Sequence, residues 1–166
     1  NTDLEFSRGN GKLGIDVSKW NEEIDWEKVK DAGIEYAIIR CGYRGASSGS
    51  LVIDPNFTEN IEGAIAADIP VGVYFFTQAV TESEAVEEAS MVIHLIEEYD
   101  VDYPVFLDSE SAGGKGRADD LSVEQRTTVH NAFLQTIAAA GYETGVYGSR
   151  NWLEKQLDME RLSDYN

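Results

Sequence analysis

The sequence predicts an α/β domain with a parallel sheet and helices outside it. Five apolar runs of strand length alternate along the chain with segments that have helix-start signals or helical spacing. That alternation is typical of β-α units, whose strands lie parallel and whose crossovers are right-handed. The length of 166 residues suits one domain with a sizeable core. Because parallel strands end at the same edge of a sheet, functional residues are expected at their carboxyl ends.

Local signals justify each element in order. Residues 1–12 are polar and contain glycine, so we expect a lead-in or linker there and a domain over residues 13–166. The five predicted strands are apolar runs at 13–18, 36–42, 70–76, 104–107 and 143–148. The predicted helices start at residues suited to an N-cap, namely Asp25, Asp54, Thr81, Ser122 and Ser149. Pro55 strengthens the second of these starts, because proline fits the first helical position.

The composition excludes several classes of function. Acidic residues outnumber basic ones by 31 to 13, a formal net charge of −18, so nucleic acid and anionic membrane surfaces would be repelled. No apolar run is long enough to span a bilayer, and we expect no membrane insertion. Cys41 is the single cysteine and is predicted to be a buried thiol. His94 and His130 fall in predicted helices, away from any serine or cysteine signature, which argues against a histidine-based triad.

The fourth strand ends in a pair of acids. Asp108 and Glu110 are two residues apart, so in an extended chain they point to the same side, with Cα atoms roughly 6.5 Å apart. Burying two carboxylates close together is costly, and like charges resist joint ionisation, so one pKa of the pair should rise. Such a pair indicates chemistry, and Glu110, with the longer reach, is the predicted general acid.

Other strands end in polar or aromatic residues that would share this edge. Asp16, Arg40, Tyr74 and Tyr147 lie at or near the ends of the first, second, third and fifth strands. An aromatic ring packs on apolar faces while a tyrosine hydroxyl hydrogen-bonds, so Tyr74 and Tyr147 suit a ligand-binding groove. An acid near a loop is also expected by chance in so acidic a chain, and for Asp16 taken alone that alternative is equally good.

The strand-end motifs together resemble glycoside hydrolase family 25, the Chalaropsis-type lysozymes. The matching segments are Gly14-Ile15-Asp16-Val17-Ser18 with Trp20-Asn21, Ile38-Ile39-Arg40 with Gly42-Tyr43, Asp54-x-x-Phe57-x-x-Asn60, Gly72-x-Tyr74-x-Phe76, Asp108-x-Glu110 and Gly145-x-Tyr147. The resemblance implies an irregular, TIM-like (β/α)5(β)3 barrel. Five units are visible in the sequence, so we expect a catalytic domain that is truncated after the fifth β/α unit and lacks the C-terminal strands.

The resemblance implies a peptidoglycan hydrolase, an N-acetylmuramidase that cleaves the β-1,4 bond between N-acetylmuramic acid and N-acetylglucosamine. It gives Glu110 as the acid, Asp108 as the group that helps the substrate's N-acetyl group attack, and Asp16 as an orienting or electrostatic acid. That route is retaining with substrate assistance, and inversion by direct water attack stays open. The implied protein is secreted to the cell wall or medium. We expect a monomer that acts on glycan strands without a metal or other cofactor.

Several substrate-binding assignments have alternatives. Arg40 could hold Asp16 or Asp108 by a bidentate pair, or it could form a purely structural ion pair. Trp20 could line the groove or merely cover the barrel mouth. Phe76 is expected in the core rather than in contact with substrate, because apolar aromatic residues are common in strands.

Two rival functions stay open at this stage. Asp16, Asp108 and Glu110 could together bind Mg²⁺ in a metal-dependent hydrolase, since hard cations take carboxylate oxygens. No phosphate-cradling Gly-Lys-Ser/Thr loop accompanies them in the sequence. The second rival is a non-catalytic glycan-binding module on a hydrolase-like barrel, which would normally have lost one acid of the pair.

Overall fold

The computed structural model describes residues 5–9 and 11–165, and the strands within them form one seven-stranded sheet. The strands are β1 (Glu5–Gly9), β2 (Lys12–Val17), β3 (Tyr36–Arg44), β4 (Leu51–Ile53), β5 (Val71–Phe76), β6 (Val105–Asp108) and β7 (Thr144–Tyr147). The helices are α1 (Trp26–Asp31), α2 (Phe57–Ala66), α3 (Glu82–Ile96), α4 (Val123–Ala139) and α5 (Arg150–Gln156), with 3₁₀ turns at Lys19–Asn21 and Ser163–Tyr165.

The parallel strands follow the chain order across the sheet. That order is β1-β2-β3-β5-β6-β7, and β4 pairs with β3 off this path. The strands β2, β3, β5, β6 and β7 run parallel, whereas β1 and β4 are antiparallel additions. A sheet whose neighbouring strands are consecutive in the chain winds in one direction and curls, which gives a half-barrel. The predicted α/β class and parallel sheet are confirmed.

The core lies between the convex side of the sheet and the helices. Strand residues that point outward, such as Ile15, Ile39 and Val73, are fully buried there. Val92 of α3 and Phe133 of α4 belong to the facing layer. Each fully buried side chain of this kind contributes about 1.5–3 kcal/mol relative to exposure. Because strand side chains alternate, the residues between these positions face the concave side.

A bulge in β3 changes which face its residues occupy. The pairing of β3 with β5 shifts register between Arg40 and Gly42. In a regular strand residues four apart lie on one face, and one extra residue reverses that relation. Arg40 therefore points into the concave side, where it lines a cavity, while Arg44 bonds Glu88 of helix α3.

The amino-terminal segment and one loop differ from the prediction. Residues 5–9, which the sequence places in a lead-in, form β1 along the edge of β2. Residues 1–4 and 10 of that lead-in lie outside the described residues. The strand β4 forms within the predicted loop after the second strand, as the second arm of a hairpin with the end of β3. Both additions are held by backbone pairing, which apolar periodicity does not report.

Four of the five predicted helix starts are confirmed. The side chains of Asp25, Thr81, Ser122 and Ser149 each accept a backbone N–H in the first turn of their helix. The exception is the start at Asp54, because α2 begins at Phe57 with Asn56 at its N-cap. Within the described part of the chain, no helix combines the length and apolar character needed to cross a bilayer.

Candidate active site

The concave side of the half-barrel holds a cavity of about 940 Å³. Its walls come from the inward residues of the parallel strands and from the loops that follow their carboxyl ends. The seven residues that the sequence predicts for the site all line it: Asp16, Trp20, Arg40, Tyr74, Asp108, Glu110 and Tyr147. The structure thus brings the whole predicted set together in one cleft. The individual roles of these residues stay predictions.

The acid pair at the end of β6 has one buried and one exposed member. Asp108 is 6% exposed, whereas Glu110 is exposed and also lines the cleft. Burial raises the pKa of Asp108 well above its usual value, and its hydrogen bond with Glu110 and the charges of Glu110 and Asp16 raise it further. Arg40 opposes this rise. A raised pKa in the pair is therefore found on Asp108, because Asp108 is the member that burial removes from water.

The surroundings of Asp108 favour its protonated form. Its Oδ1 atom is buried and has no hydrogen-bond partner among the described atoms, which further disfavours ionisation. Asp108 is therefore the acid that keeps a proton beside the cleft, next to the exposed carboxyl of Glu110.

Arg40 forms its ion pair with a residue that sequence analysis treats as a helix cap. Its Nε donates to Oδ2 of Asp54 at 2.7 Å. Asp54 is almost fully buried and also accepts the backbone N–H groups of Lys19, at 3.1 Å, and Asn56, at 2.9 Å. The prediction of Asp54 as a cap is wrong, because Asn56 is the N-cap of α2 and the Asp54 carboxylate instead anchors Arg40. The sequence predicts Asp16 or Asp108 as the partner of Arg40 and misses this one.

Tyr74 occupies the middle of the cleft. Its hydroxyl is hydrogen-bonded to the side chain of Ser18, and burial raises the pKa of this phenol above its usual value. The charge of Arg40 works against the rise, while Asp16 and Asp108 add to it. A tyrosine in these surroundings stays neutral and can donate a hydrogen bond next to the acids.

Two aromatic residues edge the cleft. Trp20 is 73% exposed and Tyr147 is 50% exposed, and both line the cavity. Trp20 lies in a 3₁₀ turn that begins at Ser18 with a capping box, and the ammonium of Lys19 lies 4.8 Å from its ring centroid.

Phe76 and several unpredicted residues also line the cavity. The prediction that Phe76 belongs to the core is wrong, because it is partly exposed and faces the cleft. At the amino-terminal end of the strands, Tyr36 stacks on Tyr103 with ring centroids 4.8 Å apart, and both line the cavity. Neither carries a sequence signal beyond an aromatic residue at a strand start. Position 14 needs a glycine, because a Cβ atom there would clash with the ring of Tyr36.

The acidic residues of the cleft do not form a recognisable metal site in the described part of the chain. Within residues 5–9 and 11–165, no group of three or more His, Cys, Asp or Glu side chains is arranged to hold a metal ion. The geometry thus offers no support for the Mg²⁺ arrangement of Asp16, Asp108 and Glu110. A buried acid and an exposed acid in one cleft provide the two carboxyl groups that glycoside hydrolysis requires.

Comparison with known proteins defines the family. The chain belongs to the glycosyl hydrolases family 25, whose model matches residues 15–166. The chain is similar to the modular autolysin LytC of Streptococcus pneumoniae, solved in complex with a synthetic peptidoglycan ligand, with a TM-score of 0.80 and 26% identity. That match covers 99% of this chain and 42% of the autolysin chain.

Two sequence relatives cover smaller parts of the chain. Lysozyme M1 of Streptomyces globisporus is 38% identical over 68 residues, which is 41% of this chain and 21% of that protein. The uncharacterized protein YegX of Escherichia coli (strain K12) is 32% identical over 106 residues, which is 60% of this chain and 36% of YegX. The chain therefore spans well under half the length of these relatives.

Proposed function

We propose that the protein is an N-acetylmuramidase that hydrolyses the β-1,4 bond between N-acetylmuramic acid and N-acetylglucosamine in peptidoglycan. The observation that carries the proposal is the placement of Asp108 and Glu110 in one cleft with Asp16. Family membership and the likeness to an autolysin solved with a peptidoglycan ligand support it. The proposed partner is the wall glycan strand, so the proposed place of action is outside the cell, and the proposed active form is a monomer.

The exposed member of the pair is the proposed general acid. Glu110 can reach a glycosidic oxygen in the cleft, whereas Asp108 is buried behind it. The proton of Asp108 passes to the leaving oxygen through Glu110. General acid catalysis of this kind contributes about 10²–10⁴-fold. The rest of the acceleration comes from positioning the substrate and from stabilising positive charge at the anomeric carbon.

The remaining site residues complete the proposed mechanism. As its proton passes through Glu110 to the leaving oxygen, Asp108 becomes negative, and its charge and that of Asp16 stabilise the oxocarbenium-like centre that forms as the bond breaks. Asp108 orients the substrate's N-acetyl group for attack, which makes the proposed route retaining with substrate assistance. Tyr74 donates a hydrogen bond to the bound sugar. Arg40, fixed by Asp54, limits the excess negative charge in the cleft.

Aromatic residues at the cleft edge are the proposed sugar platforms. Trp20 and Tyr147 are both exposed and lie at the mouth of the cavity. Their faces can cover the apolar face of a pyranose ring while ring hydroxyls stay in water. A glycan strand would then cross the strand ends and bring one linkage to Glu110.

For the fold we propose a (β/α)5(β)3 barrel, of which the described residues form the five β/α units. Ile38 and Phe106 point into the cavity from the centre of the sheet, where a closed barrel would bury them. Three further strands beside β7 would cover these side chains and convert the half-barrel into a closed one. The boundary between a lead-in over residues 1–12 and a catalytic domain from residue 13 is likewise a proposal. The pairing of β1 with β2 attaches residues 5–9 of this lead-in to the sheet of the domain.

The test is turnover of purified peptidoglycan by the intact protein, with analysis of the new reducing ends. We expect N-acetylmuramic acid at those ends, and we expect Glu110→Gln to lower the rate by at least about 10²-fold while binding is kept. Glu124→Gln is the matched control, because Glu124 is exposed in the first turn of α4, outside the cleft. A Glu110→Gln variant with near wild-type turnover would overturn the assignment.

The same assay separates the rival functions. Activity that persists in EDTA supports the glycosidase, whereas loss in EDTA with recovery on adding Mg²⁺ would favour a metal-dependent hydrolase. Binding of glycan fragments without any release of reducing ends by the wild-type protein would identify a non-catalytic binding module.

A further inference from the structure

Ser109 lies between the two acids but points the other way. Asp108 and Glu110 line the cleft, whereas Ser109 does not and is 2% exposed. This follows from the strand, because consecutive side chains alternate between the two faces of a sheet. The side chain of Ser109 therefore enters the helical layer directly behind the proposed catalytic pair.

Two helices hold the Ser109 hydroxyl. The Nε1–H of Trp152 in α5 donates to Ser109 Oγ at 2.9 Å. On the other side, Nε2 of His130 in α4 lies 2.6 Å from the same oxygen. Indole can only donate, so Ser109 Oγ accepts from Trp152, and the tautomer of His130 sets which group donates in the second bond. Burial lowers the pKa of His130 to about 3, helped by the charge of Arg126, which keeps the ring neutral.

The hydrogen bonds of the Ser109 side chain lie just beyond the end of strand β6. Strand β6 stops at Asp108, and the Ser109 N–H still donates to the Tyr147 carbonyl at 2.8 Å. Beyond that bond, the Trp152–Ser109–His130 chain fixes the residue that joins the two acids. Both peptide planes between Asp108 and Glu110 contain backbone atoms of Ser109. Rotation about its backbone would change the separation of the two carboxyl groups.

The same network anchors the far end of the loop that follows Glu110. The guanidinium of Arg126 in α4 lies 4.8 Å from the ring centroid of Trp152. It also donates to the carbonyls of Ala118, Asp119 and Leu121. The start and the end of this loop are therefore tied to the same two helices, so the peptide carrying Glu110 is restrained from both sides.

The arrangement does not fit a serine nucleophile. Ser109 Oγ is buried away from the cleft, and His130 Nδ1 has no hydrogen-bond partner among the described atoms. A catalytic triad needs a carboxylate or amide that orients the histidine from that second nitrogen and an exposed hydroxyl.

We infer that Ser109, held by His130 and Trp152, is a positioning residue that sets the geometry of the Asp108–Glu110 pair. This inference rests on the proposed function. Its physical basis is that acid catalysis depends steeply on placement, and a displacement of about 1 Å can cost roughly 10²-fold in rate. The residues act through the backbone and do not touch the substrate.

The test compares Ser109→Ala and Trp152→Phe with the wild-type intact protein on soluble peptidoglycan fragments. Each variant removes one member of the hydrogen-bond chain, and Trp152→Phe keeps an aromatic ring in place. We expect kcat per folded molecule to fall about 10- to 10²-fold, with KM within about twofold, and we expect the alkaline limb of the pH profile to move. Ser109→Thr, which restores the hydroxyl, should recover most of the rate.

A double variant and a helix control decide between positioning and mere stability. In the Glu110→Gln background, Ser109→Ala should lower the residual rate no further, because residues that act as one unit are not additive. Thr136→Ala is the control, since the Thr136 hydroxyl of α4 bonds the Ala132 carbonyl of its own helix.

The outcomes separate the inference from the proposed function. If Glu110→Gln abolishes turnover but Ser109→Ala and Trp152→Phe keep the wild-type kcat per folded molecule and pH profile, the positioning role is wrong and the muramidase assignment stands. If Ser109→Ala does not fold, Trp152→Phe decides alone by the same criteria. If Glu110→Gln retains turnover, the proposed function itself is wrong.

Discussion

Two buried carboxyls on opposite sides of the sheet differ in what surrounds them. Asp108 faces the cleft, and Glu88 lies on helix α3 against the end of β3. Burial raises the pKa of both, that of Glu88 to about 7. The neighbours of Asp108 raise its pKa further, because two of them are acids. The neighbours of Glu88 lower its pKa, because Thr77 donates to it at 2.7 Å and Arg44 at 2.9 Å.

The difference teaches that burial alone does not mark a site in this protein. A structural acid receives donors that compensate its charge, as Glu88 does from Arg44 and Thr77. A proton-holding acid is left with an unpaired oxygen and another acid beside it, as Asp108 is. The sign of the neighbours' effect therefore separates the two kinds of buried acid, and substitutions can test that distinction.

The largest expected effect comes from Asp108→Asn. The substitution keeps the shape and removes the acidic proton, so we expect turnover to fall by about 10²-fold or more. Because the folded-state pKa of Asp108 is raised, wild-type stability from this group is present at acid pH and lost as pH rises. The variant should therefore be at least as stable as wild type at about pH 8.

Turnover of wall fragments and chemical unfolding at several pH values check this prediction. A variant that loses stability at alkaline pH would contradict the comparison, because it would mean that ionised Asp108 stabilises the fold as a structural acid does.

The second expected effect concerns Arg44, the ion-pair partner of the structural acid Glu88. Arg44 is buried and donates to Glu88, Glu87 and the carbonyls of Gly49 and Glu84. Removing one partner of a buried ion pair typically costs about 3–5 kcal/mol, so Arg44→Met should lower the free energy of unfolding by that order. The loss should be greater at alkaline pH, where Glu88 would be ionised without its partner. Turnover per folded molecule should stay within about twofold of wild type.

The matched control for Arg44 is an exposed pair of the same type. Arg150 Nε lies 2.7 Å from Glu154 Oε1, and the Arg150 side chain is 90% exposed. Such pairs contribute little, so Arg150→Met should leave unfolding nearly unchanged. Equal effects of the two substitutions, measured by urea denaturation, would show that burial of Arg44 has no special importance.

The residues of the cleft were more predictable from sequence than the hydrogen bonds that join Ser109 to His130 and Trp152. Asp16, Arg40, Tyr74 and the acid pair could be placed together because carboxyl ends of parallel strands meet at one edge. That rule needs only strand order and local pattern. It fails for contacts between distant segments, such as His130 with Ser109, which are 21 residues apart in the chain.

Asp54 illustrates why some residues were assigned wrongly. An Asp followed by Pro55 has the local pattern of a helix start, and the hydrogen bond of Asp54 to the Asn56 N–H is equally local. The deciding contact is with Arg40, which lies 14 residues away on the neighbouring strand β3. Such a contact arises from the packing of distant segments, so the partner of Arg40 does not follow from local pattern.

The smallest expected effect, Glu88→Gln, tests the comparison most directly. The pKa of Glu88 rises from a usual value of 4.5 to about 7, so its contribution to stability is present below the lower value and is lost as pH rises through the upper one. Glutamine does not titrate and lacks this loss. Relative to wild type, the variant should gain about 1–3 kcal/mol between about pH 4 and pH 8.

Urea unfolding across this pH range measures the gain. Glu59→Gln, an exposed substitution in the first turn of α2, gives the control dependence of the unfolding free energy on pH. If Glu88→Gln instead loses stability as pH rises, the bonds from Arg44 and Thr77 outweigh burial, and Glu88 is a charged structural acid at neutral pH. In that case the contrast with Asp108 becomes sharper, because a proton would be retained only on the cleft side of the sheet.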